Sequence, residues 1–235
     1  MMRLDKFLVA MEVGSRSQVK NLIKKGLISI DGTVCKDADY KFDEINSKVC
    51  YMGQHLQYTE FVYYMLHKPA GVVTATQDNH DKTVMDLLIN VNKKDLFPVG
   101  RLDKDTEGLL LITNDGSLAH TLLSPKKHVD KTYLVKLRDD ISSQAITQLE
   151  QGVNIGEEKD TLPAKIEVLN TKTIKLIIHE GKFHQVKRML QAVNNEVIYL
   201  KRISFGSLVL DEKLQPGSFR PLTEQEIISL HTDAE

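Results

Sequence analysis

The segment GRLDKDTEGLLLITNDG, residues 100 to 116, places Asp103 two positions after Arg101 and just ahead of an apolar run. Leu109, Leu110, Leu111 and Ile112 have the character of a strand buried on both faces, closed by the turn signal Asn114-Asp115-Gly116. A carboxylate in a tight loop before a core strand is costly to desolvate. Held near a fixed cation, a carboxylate stays ionised even when partly buried, and such an anion is a usable nucleophile. Two other segments can serve the same chemistry. KTYLVKL puts Tyr133 at the start of a strand, where its ring offers a flat apolar face for a nucleobase. HEGKFHQVKRM reads as a strand, a glycine turn and a helix whose first turns present Gln185, Lys187 and Arg188. Taken singly, each has a plainer reading: a salt bridge for Asp103 and Arg101, a core ring for Tyr133, a solvated Lys-Arg pair on the helix.

The elements that must position these residues are short strands and helices. From residue 60 onward, strands are expected at VYYML, 108 to 113, 132 to 137, 164 to 169, 174 to 179, 197 to 202 and 207 to 210. Helices are expected at Thr83 to Ile89, from a Ser117 cap to Leu123, at 142 to 151, at His184 to Ala192, and after a Thr223-Glu226 capping box. Strands follow one another in pairs, which predicts an α+β fold with a largely antiparallel sheet. Ahead of them, Leu4, Phe7, Leu8 and Met11 form one helix face, Ser15 caps a second helix, and Asp31-Gly32 marks a hairpin. On that second helix Arg16, Lys20 and Lys24 recur every four residues as a basic stripe, solvated or resting on phosphates. The polar stretch GQHLQYTE, residues 53 to 60, is read as the linker, giving domains 1–59 and 60–235.

Composition bounds the functional classes. With 235 residues, 41% apolar and 27% charged, the chain can bury a core and is not disordered. No apolar run is long enough for a membrane span, and the first residues lack the regions of a signal peptide. Cys35 and Cys50 have no metal-ligand spacing and fit reduced cytosolic thiols, so a cytoplasmic protein without metal or cofactor is expected. The net charge is −1, yet lysines and arginines cluster in residues 1 to 25, in 124 to 138, and in the group Lys182, Lys187, Arg188, Lys201 and Arg202. Segregation of that kind predicts a basic face on a neutral molecule.

RLDKFL and SRSQVKNLIKKGLISIDGTV together resemble the S4 RNA-binding domain over roughly residues 2 to 48. GRLDKDTEGLLLITNDG is similar to the signature GRLDxxTxGLLLxTxDG of the small-subunit (RsuA-like) branch of the pseudouridine synthases. KTY, EGKFHQVKRM, MLHKPAG and PGSFRPLTEQE match that branch too, so the likeness spans almost the whole chain. It implies a small αα-plus-hairpin domain followed by a catalytic domain that isomerises a uridine of 16S ribosomal RNA. It implies Asp103 as the catalytic aspartate, Tyr133 as the active-site tyrosine and Lys187, where many relatives carry arginine, as the basic partner of the aspartate. Arg101, Gln185, Arg188 and the stripe Arg16, Lys20 and Lys24 become contacts to RNA. The expected partner is 16S ribosomal RNA or an assembling small subunit, with no membrane, and the protein is expected to be a monomer. The aspartate can attack C1′, attack the pyrimidine ring or remove a sugar proton; the residues leave all three open. Two rival readings exist: a phosphotransferase nucleophile in Asp103-Lys104-Asp105-Thr106, and a non-catalytic S4-type assembly factor.

Overall fold

A computed structural model describes residues 1–56 and 58–234; Gln57, within the expected linker, and Glu235 lie outside the described residues. The chain divides into two compact units, Met1–Glu60 and Phe61–Glu235. No helix among the described residues is long and apolar enough to cross a membrane.

The first unit holds β1 (Met2–Arg3), α1 (Leu4–Ala10), α2 (Arg16–Lys24), β2 (Ile28–Ile30), β3 (Thr33–Val34), β4 (Lys41–Phe42), β5 (Val49–Tyr51) and β6 (Gln54–Leu56). Leu4, Phe7 and Leu8 of α1 pack against Val19 and Ile23 of α2 and Ile28 of β2, all buried, so the apolar spacing reads out as the core. Ser15 caps α2 in a capping box: its Oγ accepts from Gln18 N at 3.4 Å and Gln18 Oε1 accepts from Ser15 N at 2.8 Å. Asp31 and Gly32, at φ 48° and 81°, form the two-residue turn between β2 and β3. The linker expectation is corrected over Gln54–Leu56, which pairs with β5 as the edge of a four-stranded sheet, in the order β3-β2-β5-β6. The turn there is Met52-Gly53, again with both φ positive. An exposed edge strand needs no apolar alternation, which is why its polar sequence concealed it.

The second unit holds β7 (Tyr63–Lys68), β8 (Phe97–Pro98), β9 (Glu107–Thr113), α3 (Gly116–Leu123), β10 (Lys131–Leu137), α4 (Ser143–Gln151), β11 (Lys165–Asn170), β12 (Thr173–Ile178), α5 (Gln185–Ala192), β13 (Val197–Phe205), β14 (Leu208–Val209), β15 (Phe219–Pro221) and α6 (Glu224–Ala234). Its sheet runs β11-β12-β10-β13-β9-β7-β15, with β14 beside β13 and β8 beside β9. The pairings between these strands are antiparallel except β9 with β13, which is parallel. The fold is therefore α+β with a largely antiparallel sheet. β9 is buried on both faces: Leu110 and Ile112 join one core, Leu109 and Leu111 the other. Two helix expectations change. Thr83 to Ile89 contains only a 3₁₀ turn, Val84–Leu87, because Leu88 is already extended. Ser117 is not the cap of α3; Asp115 is, its Oδ1 accepting from Leu118 N at 2.9 Å while Oδ2 accepts from Tyr63 Oη at 2.8 Å. The Thr223-Glu226 box forms as expected.

The parallel pairing depends on Gly108, which lies opposite Arg202 with φ 112°. A Cβ there would come within 2.1 Å of the Arg202 carbonyl oxygen. Gly116, at the start of α3, has open space around it. Gly108→Ala is expected to lower unfolding stability by about 2 to 4 kcal/mol, from backbone strain plus displacement of β13. Gly116→Ala should be neutral or stabilising by up to about 1 kcal/mol. Urea midpoints of the two variants check this, and equal midpoints would remove the steric argument.

Candidate active site

Asp103 lies in the loop between β8 and β9, and its backbone is held from two sides. Lys68, at the end of β7 and fully buried, donates through Nζ to the carbonyl oxygens of Pro69 (3.1 Å), Asp103 (2.9 Å), Lys104 (3.2 Å) and Thr106 (2.8 Å). Burial pushes the Lys68 ammonium down to about 8, against the attraction of Asp105 and Asp103. Thr74 Oγ1 donates to Leu102 O at 2.7 Å and accepts from Leu102 N at 3.1 Å. The carboxylate thus projects from a fixed stretch of main chain.

It projects into a cavity of about 460 Å³, a size usual for small-molecule sites, whose wall also includes Arg101, Tyr133, Ile178, Val186 and Leu200. Tyr133 is buried on β10, with its ring on this wall. Lys187 of α5 approaches Asp103, with Nζ 3.3 Å from Oδ2. Asp103 is partly buried, its side chain 27% exposed. Lys187 is also shared, since its Nζ donates to Asp105 Oδ1 at 2.6 Å. That hydrogen bond holds the Asp105 carboxyl below the usual carboxylate range. Burial disfavours the Lys187 cation, but Asp105 and Asp103 together outweigh it and raise its pKa. His184, at the start of α5 with φ 48°, places Nε2 3.7 Å from Asp103 Oδ1 and stacks on Phe183. Each oxygen of the Asp103 carboxylate therefore has its own basic neighbour.

The remaining expected residues divide. Arg101 is exposed, lines the cavity and makes no ion pair among the described residues. Gln185 lines the cavity but is buried and engaged, its Nε2 donating to Glu180 Oε1 at 2.8 Å and its Oε1 accepting from Lys182 N at 2.9 Å. Arg188 departs further. It does not line the cavity, and its guanidinium is engaged by Glu157, Phe183 O and Ile155 O. In the first unit Arg16, Lys20 and Lys24 are exposed on α2. Arg16 and Lys20 line a cleft of about 240 Å³ with Arg3, Asp5 and Lys6, while Lys24 does not. Asp5 is already paired with Arg3 at 2.7 Å, so the cleft keeps a basic excess. Lys68, Asp105 and His184 were not singled out as site residues from sequence; for Asp105 the Asp-x-Asp spacing was the available signal.

Comparison with known proteins places this geometry. A family model described as RNA pseudouridylate synthase matches residues 62–192, and an S4 domain model matches residues 2–44. An uncharacterized RNA pseudouridine synthase of Bacillus subtilis is 50% identical, with 96% of this chain and 97% of that protein covered. Ribosomal small subunit pseudouridine synthase A of Vibrio cholerae is 44% identical, with 97% of this chain and 99% of that protein covered. A solved structure, described as the crystal structure of pseudouridylate synthase, is 37% identical with a TM-score of 0.70, covering 98% of this chain and 100% of that one. These matches set aside the phosphotransferase reading of Asp103-Lys104-Asp105-Thr106. The chain, an S4 domain followed by a synthase domain, belongs to the RNA pseudouridylate synthase family.

Proposed function

We propose that this enzyme converts one specific uridine of small-subunit ribosomal RNA into pseudouridine, the uridine at position 516 of 16S ribosomal RNA by resemblance. Asp103 reacts on a nucleotide flipped into the cavity, Tyr133 takes over part of the stacking that the base loses, and Lys187 is the basic partner of Asp103. The observation that carries this reading is Asp103 itself, set on the cavity wall from a pinned backbone with Lys187 3.3 Å away. The relative in Vibrio cholerae, named for the small ribosomal subunit and alike from end to end, supports the choice of RNA.

The reaction breaks N1–C1′, turns the base and joins C5 to C1′; C5 loses a proton and N1 gains one. No redox step or cofactor is required. Arg101, exposed on the wall, is available to the RNA strand as the base leaves its stack. In the division of labour proposed, residues 1–59 grip RNA through the α2 stripe and its cleft and residues 60–235 catalyse, in a cytoplasmic monomer.

Three outcomes are expected. Asp103→Asn should abolish single turnover of a labelled 16S fragment while leaving affinity within about threefold; retention of more than about a tenth of the wild-type rate would remove Asp103 from this role. Lys187→Met should lower that rate by about 10- to 100-fold with Lys187→Arg close to wild type, since the arginine keeps the charge; equal rates for all three enzymes would leave Lys187 a structural tie to Asp105. Neutralising Arg16, Lys20 and Lys24 together should make the slope of log K against log salt less negative by up to about 0.7 to 0.9 per lost phosphate contact, with saturating turnover unchanged. Identical slopes and affinities would mark the stripe as merely solvated.

A further inference from the structure

Two cations of the cavity have no part in the chemistry described so far. Lys131 of β10 and Arg202 of β13 both line it, at 8% and 2% exposure, far deeper than Asp103 or Arg101. Lys131 Nζ donates to Val129 O at 2.9 Å and lies 5.5 Å from the centre of the Phe205 ring. Arg202 Nε donates to Leu109 O at 2.9 Å, its guanidinium lies 5.2 Å from the same ring, and its Nη2 is buried without a partner. Neither has an ion pair among the described residues. The acids acting on Lys131 are committed elsewhere: Asp130 faces His179 at 2.6 Å, while Glu180 accepts from Leu162 N and Gln185 Nε2 and lies 3.7 Å from Lys182. Two buried like charges without a counter-ion are costly, and packing alone gives no reason to keep them.

Their depth indicates which part of the substrate they meet. A flipped nucleotide enters base first, while its phosphodiesters stay with the strand at the mouth. The base is also where negative charge develops. When N1–C1′ breaks heterolytically, the bond pair leaves with uracil and spreads from N1 onto the carbonyl oxygens. We propose that Lys131 and Arg202 form a binding site for this detached uracil anion, with the charged carbonyl edge directed at the two cations. After the base turns, electrons of the C5–C6 double bond form C5–C1′, C5 gives up its proton, N1 takes one up, and the base is neutral again. The cations thus bind a charge present only between the two bond changes. That is differential stabilisation of the kind that raises rate rather than affinity.

The inference rests on the reading that the target uridine enters this cavity, so the experiment starts with a 16S fragment that wild type converts and Asp103→Asn does not. The charged groups facing Lys131 are Arg202 from β13, Asp130 ahead of β10 and Glu180 beyond β12. Burial and repulsion from Arg202 push the Lys131 ammonium down to about 8, so its charge is present below that pH and lost above it. Lys131→Met is expected to lower the saturating single-turnover rate by about 10- to 100-fold. Affinity should stay within about threefold and the salt slope should not change. Lys131→Arg should keep the rate and lose less of it above pH about 8 than wild type, in which Lys131 is expected to discharge there. An unchanged rate in Lys131→Met overturns the proposal. So does weaker binding with a shallower salt slope, which would make Lys131 a phosphate contact. If Lys131→Met does not fold, the single-turnover rate of Lys131→Gln decides, and an unchanged rate overturns the site. Failure of wild type to convert any small-subunit RNA fragment overturns the function reading, and this site with it. Conversion by wild type with indifferent Lys131 variants overturns this site alone.

Discussion

The buried ammonium of Lys68 holds four carbonyl oxygens, three of them from the loop that carries Asp103. A lone buried charge is among the most expensive groups a protein interior can contain, and here it is compensated by peptide dipoles rather than by a carboxylate. The arrangement leaves the carboxylates nearby free for other partners. It also makes the loop main chain, ordinarily the most mobile part of such a fold, a fixed reference. Without that reference, the approach of Lys187 and His184 to the two oxygens of Asp103 would have no constant target.

The basic groups of the site differ in their partners. Lys187 is tied to both Asp103 and Asp105, while Lys131 and Arg202 line the cavity from β10 and β13 and donate to main-chain oxygens. Because Asp103 pairs with Lys187 and not with Lys131 or Arg202, the two inner cations stay available to an anion on the base. Ile178, Val186 and Leu200 also line the cavity, and low polarity around fixed charges strengthens them.

What sequence made legible were features that depend on near neighbours. The double-faced burial of β9 follows from four consecutive apolar residues, the Asp31-Gly32 turn from two residues that tolerate positive φ, and the α2 cap from Ser15. What it concealed depends on partners far along the chain. Arg188 looked free because Glu157 and Ile155, which engage it, lie on a distant loop, and Gln185 looked free until Glu180 and Lys182 closed around it. Asp115 was hidden inside a turn signal it does not serve, its cap role fixed by the pairing of its carboxylate with Tyr63. Lys68 stood within a recognisable motif, yet no pattern of side chains reports a grip made on main-chain oxygens.

The parallel strand pairing of β9 with β13 also carries a kinetic meaning. Antiparallel neighbours such as β7 and β9, or β10 and β12, close over limited stretches of chain, whereas β9 must wait for β13, which begins at Val197. Contacts of that sequence separation form late, because loop entropy is lost before they contribute. On the ribosome, a strand apolar on both faces therefore leaves the exit tunnel long before its partner is made. Through that interval β9 is a target for chaperones and for self-association. The same delay separates Asp103 from Lys187, Arg202 and the rest of its cavity, so a nascent or truncated chain carries the aspartate without the means to use it.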